Sequence, residues 1–240
     1  MVAHKGKLYR IGGFTAHNKE DDKHDLRSVA SFASFDPQTR KWTKLPNLPE
    51  PRSSHDAVVI GDQLYVVGGW QLGKKRGWHK TAWSIDLSKK KLTWKALPTP
   101  PFARRALSLG QLGHKLVVIG GMQQKGGPTV RVDIYDTRSK KWSKGPSLKN
   151  PNGRGRYAGI EGFGSSAFVV GKRLFVSTYG GNLQVLDSSA KEWRIAHKLE
   201  EDRFFHRMLP YKHQLVLVGG ASMREGKRLA LETVNLKKIK

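Results

Sequence analysis

Short apolar runs separated by turn residues recur along this chain from end to end. The clearest stretch, residues 52–94, reads RSSHDAVVIGDQLYVVGGW, then a basic loop, then TAWSIDLSKKKLTW. Three runs rich in β-branched residues (57–60, 64–67 and 82–87) are split by turn residues, and a fourth short run contains Trp94. Runs of this length and composition between glycine and polar breakers predict four strands in antiparallel succession. Gly61-Asp62 falls where a tight hairpin turn belongs. Gly68-Gly69 closes the second strand, where the backbone needs a positive φ or a close approach to a neighbour.

The same unit returns. Leu8, Leu64, Leu116, Leu174 and Leu215 align in register, and all but the fourth precede a double glycine, at residues 12–13, 68–69, 120–121 and 219–220. Downstream stand an aspartate and a tryptophan: Asp36 with Trp42, Asp86 with Trp94, Asp136 with Trp142, and Asp187 with Trp193. Repeats of about 40 to 50 residues with four strands each mark propeller blades. With these elements at fixed offsets, the chain resembles the kelch-repeat family along essentially its whole length.

The resemblance implies an all-β fold, a kelch-type β-propeller of about five four-stranded antiparallel blades forming a single domain. The blades fall near residues 1–46, 52–98, 104–148, 163–198 and 203–240. The first has only residues 1–4 for its innermost strand, and the last stops before its tryptophan. Both ends are therefore expected to be unfinished, either as part of a six-blade ring begun upstream or as a compact five-blade ring closed by imperfect pairing. Open ends would expose apolar sheet faces, so the chain is expected to be a monomer or to associate through its edges. Blade four departs from the pattern, with Thr178-Tyr179 in place of the double glycine. The loop 14–29, with His17, Glu20, Asp21, Asp22, His24 and Asp25, is read as solvated, because Lys19 and Lys23 interrupt any metal-ligand spacing.

Composition changes the picture in three ways. No cysteine is present, which removes disulfides, thiolate metal sites and the tyrosine–cysteine cofactor of kelch-type copper oxidases, so no cofactor is expected. No run approaches the ~18 apolar residues that span a bilayer, and MVAHKGKLYRIGGF lacks a signal-type apolar core. The compartment stays open: cytoplasmic by default, exported if the true start lies upstream. Finally, 44 Lys+Arg against 19 Asp+Glu give a formal charge of +25, which raises anionic partners beside the plainer reading of a solvated basic surface. The lysines scatter through the turns rather than forming a stripe, so nucleic acid is expected to bind only nonspecifically.

Candidate binding residues come from one repeated position. Twelve residues before the aligned leucines lie Arg52, Arg104, Gly162 and Arg203, followed by Ser53, Arg105, Phe163 and Phe204. His55 and His206 occupy a second matched position. In a propeller these strand starts converge on the channel mouth, and a guanidinium fork suits a carboxylate or phosphate. Arg52-Ser53 looks similar to the pocket of kelch modules that capture acidic peptides. An equally open reading has the arginines bonding carbonyls or carboxylates of neighbouring blades. Trp70 and Trp78 sit in a mouth loop where they can stack on a ligand. The glycine-rich linker 149–163 adds Arg154, Arg156 and Tyr157 to the same face.

The reading reached from sequence is a non-catalytic kelch scaffold that binds a protein segment, an acidic peptide or a small anionic ligand. The ligand residues are Arg52, Ser53, His55, Arg104, Arg105, Arg203, Trp70 and Trp78. A sugar-acid mutarotase-like enzyme is the alternative, with Glu161 as its acid/base, and nonspecific polyanion binding is a second. The aspartates Asp36, Asp86, Asp136 and Asp187 are expected to cap the turn between third and fourth strands.

Overall fold

The computed structural model describes residues 1–19, 22–73, 77–155 and 158–239. The acidic pair Glu20 and Asp21, the basic loop tip Lys74, Lys75 and Arg76, and the linker residues Arg156 and Tyr157 lie outside them. The chain divides into two compact units, Met1–Arg105 and Ala106–Lys240, taken here in turn.

The first unit holds two antiparallel four-stranded sheets. Blade one is built from Val2–His4, Lys7–Ile11, Phe32–Asp36 and Lys41–Leu45, paired in that order. Blade two uses Asp56–Ile60, Gln63–Val67, Ala82–Asp86 and the two-residue Lys95–Ala96. Alternation sends one face of each strand inward: Tyr9, Ile11, Ala57, Leu64, Val66 and Ile85 form the shared core, with Trp94 packed against it. The stretch read as a solvated loop contains a hairpin of its own, Phe14–Ala16 against Leu26–Ser28. Phe14, Thr15 and Ala16 are exposed, so no buried face announced it in the sequence.

Among the described residues the second unit holds three blade sheets and a two-stranded hairpin, Ala221–Ser222 against Gly226–Lys227. Blade three runs Ser108–Leu112, Lys115–Ile119, Val132–Asp136 and Lys141–Gly145. Blade four runs Ser166–Val170, Arg173–Ser177, Asn182–Leu186 and Arg194–Lys198. Blade five has three strands, Arg207–Tyr211, Gln214–Val218 and Glu232–Asn235, the last followed by a 3-10 turn over Leu236–Lys238. Two apolar layers separate them. Val117, Ile119, Leu174 and Val176 lie between blades three and four, and Phe175, Val185, Leu215 and Leu217 between blades four and five.

Two repeated devices hold the repeats together. The turn aspartates act as expected: Asp36, Asp136 and Asp187 accept from the backbone N–H two residues on at 2.9 Å, and Asp86 does the same to Ser88. Backbone hydrogen bonds from Ser139 and then Arg138, with His114 beside it, take the Asp136 carboxyl down to about 2. The tryptophans Trp94 and Trp193 each donate Nε1–H to a proline carbonyl in the linker leaving the preceding blade, Pro46 at 2.8 Å and Pro146 at 2.9 Å. Trp193 is wholly buried, whereas Trp42 is 53% exposed, so the repeated tryptophan is core in one blade and surface in another. No helix among the described residues is long and apolar enough to cross a membrane.

Candidate functional site

The entries to blades two, three and four share one backbone hydrogen bond. The carbonyl at the arginine position accepts from the second glycine of the preceding blade: Gly13 N to Arg52 O at 2.9 Å, Gly69 N to Arg104 O at 2.8 Å, and Gly121 N to Gly162 O at 2.7 Å. Two residues further on the chain turns left-handed, at Ser54 (φ 52), Ala106 (φ 53), Gly164 (φ 60) and Phe205 (φ 56). Three of these four carry side chains in a region that ordinary residues avoid. The entry is therefore held by its surroundings rather than by local preference.

The side chains at this position divide by blade. Arg52 is fully buried and saturated at its tip. Its Nη1 donates to the carbonyls of Gly68 (3.0 Å) and Thr81 (3.2 Å), and its Nη2 to Glu50 (2.9 Å) and Thr81 Oγ1 (2.7 Å). Burial draws its pKa down to about 10 against the opposing pull of Glu50. Burial also works against the Glu50 carboxylate, yet hydrogen bonds from Thr81 and Trp83 and the Arg52 charge outweigh it and hold its pKa below the usual range. In the second unit Arg203 repeats the arrangement, donating to the carbonyls of Gly219 and Ala230 and to Glu201 (3.0 Å) and Glu232 (3.2 Å). Arg104, 1% exposed, lies 4.1 Å above the ring of Phe102, which occupies the place of Glu50 and Glu201.

Blade four has Gly162 here, and the preceding residue, Glu161, takes over the polar role. Its wholly buried carboxylate accepts from Asn152 Nδ2 (2.6 Å), Asn182 Nδ2 (3.2 Å), the backbone of Gly180 (3.4 Å) and the Thr178 hydroxyl. These contacts tie the glycine-rich linker to the turn that replaces the double glycine. The histidines serve the glycine turns too. A Cβ on Gly12 or Gly69 would come within 2.8 Å of His55, and one on Gly220 within 2.9 Å of His206.

Only part of the predicted set converges. Ser53, Trp70, Trp78 and Arg105 gather in the first unit. Ser53 and Trp70 form an antiparallel bridge, as do Trp70 and Trp78, and the two indoles meet at 5.9 Å and 58°. Above them lies Arg105, its guanidinium carbon 4.1 Å from the Trp70 ring centre and 5.5 Å from that of Trp78. Ser28, which the sequence reading did not single out, completes the floor: its hydroxyl meets Ser53 Oγ at 2.9 Å and accepts from Leu72 N at 2.9 Å. The Arg105 guanidinium makes no hydrogen bond or ion pair among the described residues, and its buried Nε is unsatisfied, as is Trp70 Nε1. Burial lowers the Arg105 pKa. Arg52, Arg104 and Arg203 are turned into the protein, and Arg203 belongs to the other unit. The signal missed was the acidic partner two residues upstream, Glu-x-Arg at 50–52 and again at 201–203.

The comparisons agree with this architecture. The KLHDC2/KLHL20/DRC7 Kelch-repeats domain family matches residues 1–221. Kelch-like protein terF of Aspergillus terreus is 28% identical over 139 residues, covering 56% of this chain and 29% of that protein. Kelch domain-containing protein 10 of Xenopus tropicalis is 30% identical over 167 residues, covering 62% and 36%. The chain thus spans about a third of the length of these relatives. A solved structure titled "Structure of YjhT" superposes with a TM-score of 0.74 at 17% identity, covering 97% of this chain and 79% of that one, and shows the fold alone. With five successive antiparallel sheets and a family match over most of its length, this chain belongs to the kelch-repeat family and has its all-β propeller fold.

Proposed function

We propose that the chain is a non-catalytic binding module that takes an anionic group of a protein segment against Arg105, on the floor made by Trp70, Trp78, Ser53 and Ser28. The observation that carries this reading is the unsaturated guanidinium. A half-buried cation held by two indoles has lost part of its hydration and, among the described residues, has gained no anion or carbonyl in return. A carboxylate supplies both the charge and the bidentate acceptor geometry that the fork lacks. Kelch relatives that differ in name and length support a scaffold role for the repeat itself, while the ligand is read from this chain's own residues.

Arg52, Arg104 and Arg203 take a different part. Their buried guanidinium groups shape the blade entries, so they support the site through the backbone that carries Ser53 and Arg105. The test is fluorescence-anisotropy binding of a library of acidic and neutral peptides. Arg105→Ala is expected to weaken any acidic binder by tenfold or more with the thermal midpoint unchanged. A hit whose affinity is indifferent to Arg105→Ala and to Trp70→Ala would refute the reading. A hit indifferent to both but abolished by 0.3 M salt would instead indicate diffuse attraction to the +25 charge.

A further inference from the structure

Of the six asparagines in this chain, one alone is followed by glycine: Asn152, in the linker between blades three and four. That neighbour matters chemically. With no Cβ on Gly153, its backbone nitrogen reaches the Asn152 carboxamide carbon with the least hindrance. The local structure leaves such an attack open. Asn152 is exposed, in a turn with Pro151. The Gly153 N–H is engaged by the Asn150 carbonyl at 3.2 Å, the long end of the ordinary range, so little is lost when that turn opens.

What the Asn152 amide holds gives the attack a consequence. Its Nδ2 donates to Glu161 Oε1 at 2.6 Å. A Cβ on Gly180 would lie 2.1 Å from the same nitrogen, so the amide sits tightly between the blade-four turn and the carboxylate. Glu161 is wholly buried, and its donors are all neutral: the amides of Asn152 and Asn182, the Gly180 N–H and the Thr178 hydroxyl. A buried anion held this way depends on every donor it has.

We propose that Asn152 is a site of spontaneous deamidation, and that the reaction loosens the entry to blade four. The Gly153 nitrogen gives up its proton to solvent and bonds to Asn152 Cγ. The Cγ–Nδ2 bond breaks, and Nδ2 leaves as ammonia with a proton from water. A second water opens the resulting succinimide to aspartate or, through its other carbonyl, to isoaspartate, which puts an extra methylene in the backbone. In net terms one water is consumed and one ammonia released, with no change of oxidation state. In either product the donor to Glu161 is gone and a second negative charge stands beside it. Like charges repel where no cation is supplied, and the linker parts from the Thr178–Asn182 turn. The site lies wholly in the second unit and does not involve Arg105.

The test is peptide mapping by mass spectrometry of the whole chain aged in warm, mildly alkaline buffer, with isoaspartate measured by isoaspartyl methyltransferase. A gain of one mass unit is expected at Asn152 at least tenfold faster than at Asn47, Asn182 or Asn235. Asn150 is the internal blank, because the proline after it has no N–H to attack with. Asn152→Asp should lower the thermal midpoint by about 4 °C or more and speed amide exchange at Asn182. The drop should shrink when Glu161 is already replaced by Gln. Where Asn152→Asp does not fold, the aged fraction separated by cation exchange gives the same comparison. Reaction at no asparagine, or at equal rates in all, would overturn the inference. So would a deamidated protein with the midpoint and exchange of the fresh one, or a loss of the same size with and without the Glu161 carboxylate.

Discussion

Glu50 accepts from the Arg52 guanidinium at 2.9 Å, two residues along the same blade entry, while the Thr81 hydroxyl accepts from that arginine and donates to that glutamate. Arg52 has no exposure and Glu50 retains 36%, so the pair is a buried cation with its anion at the edge. Replacing Glu50 by Ala leaves the guanidinium desolvated without its counter-charge. The expected loss is about 3 kcal/mol, the lower end for breaking a buried pair, because the lost partner is itself partly solvated. Urea unfolding should show it as a lower midpoint at constant slope. Glu50→Ala combined with Arg52→Met should recover part of the loss, and if it recovers nothing the pair is not the source.

His206 gives a pH signature. Burial, then the charges of Arg203 and Arg207, depress its pKa to about 4 from an ordinary value near 6.5. The folded protein keeps this ring neutral where the unfolded chain protonates it. Stability is therefore undiminished above pH 6.5 and falls as pH drops toward 4, by about 3 kcal/mol at most. In denaturant titrations at pH 7 and 4.5, His206→Gln should remove this part of the acid sensitivity. An identical pH slope in the variant would mean His206 does not contribute.

Gly113 and Gly120 separate strain from crowding. Both are left-handed, at φ +60 and φ +59. A Cβ on Gly113 meets nothing within 4 Å, whereas one on Gly120 lands 2.3 Å from the Gly162 carbonyl. Gly113→Ala should cost about 1 kcal/mol from backbone strain alone. Gly120→Ala must also displace backbone that accepts the Gly121 hydrogen bond, and should cost several times more or prevent folding. Equal midpoints for the two variants would contradict the close approach.

Arg105 should be visible spectroscopically. Removing the guanidinium from above Trp70 and Trp78 changes the field at two indoles, so Arg105→Ala should shift the tryptophan emission relative to wild type, and Arg105→Lys should shift it less. No change in either would argue against the stacked arrangement.

The repeat was legible in the sequence because strands of this fold announce themselves twice, by alternation and by what punctuates them. The leucines from Leu8 to Leu215 fell into register, and the aspartate turns formed as expected. The short hairpin at Phe14–Ala16 did not announce itself, since its first strand is wholly exposed. Of the candidate site, the sequence pointed to Ser53, Arg105, Trp70 and Trp78 but treated all the arginines as one class. Arg52 and Arg203 are set apart by a glutamate two residues upstream, and Arg104 by a phenylalanine in the same place. That spacing was present in the sequence; what it does not encode is that Arg105, one residue after a buried arginine, turns instead onto two indoles.

The carbonyl of Arg52 belongs to blade two, and the N–H that satisfies it belongs to Gly13 in blade one. The portion of chain that opens without orphaning that group is accordingly not a blade alone. It is a blade together with the second glycine of the blade before it, whose N–H the entering carbonyl satisfies. Amide exchange should follow that grouping, with Gly13, Gly69 and Gly121 exchanging together with the blade that follows each rather than the one that contains it. Anyone grafting, duplicating or deleting a repeat in this chain would do best to cut by that register.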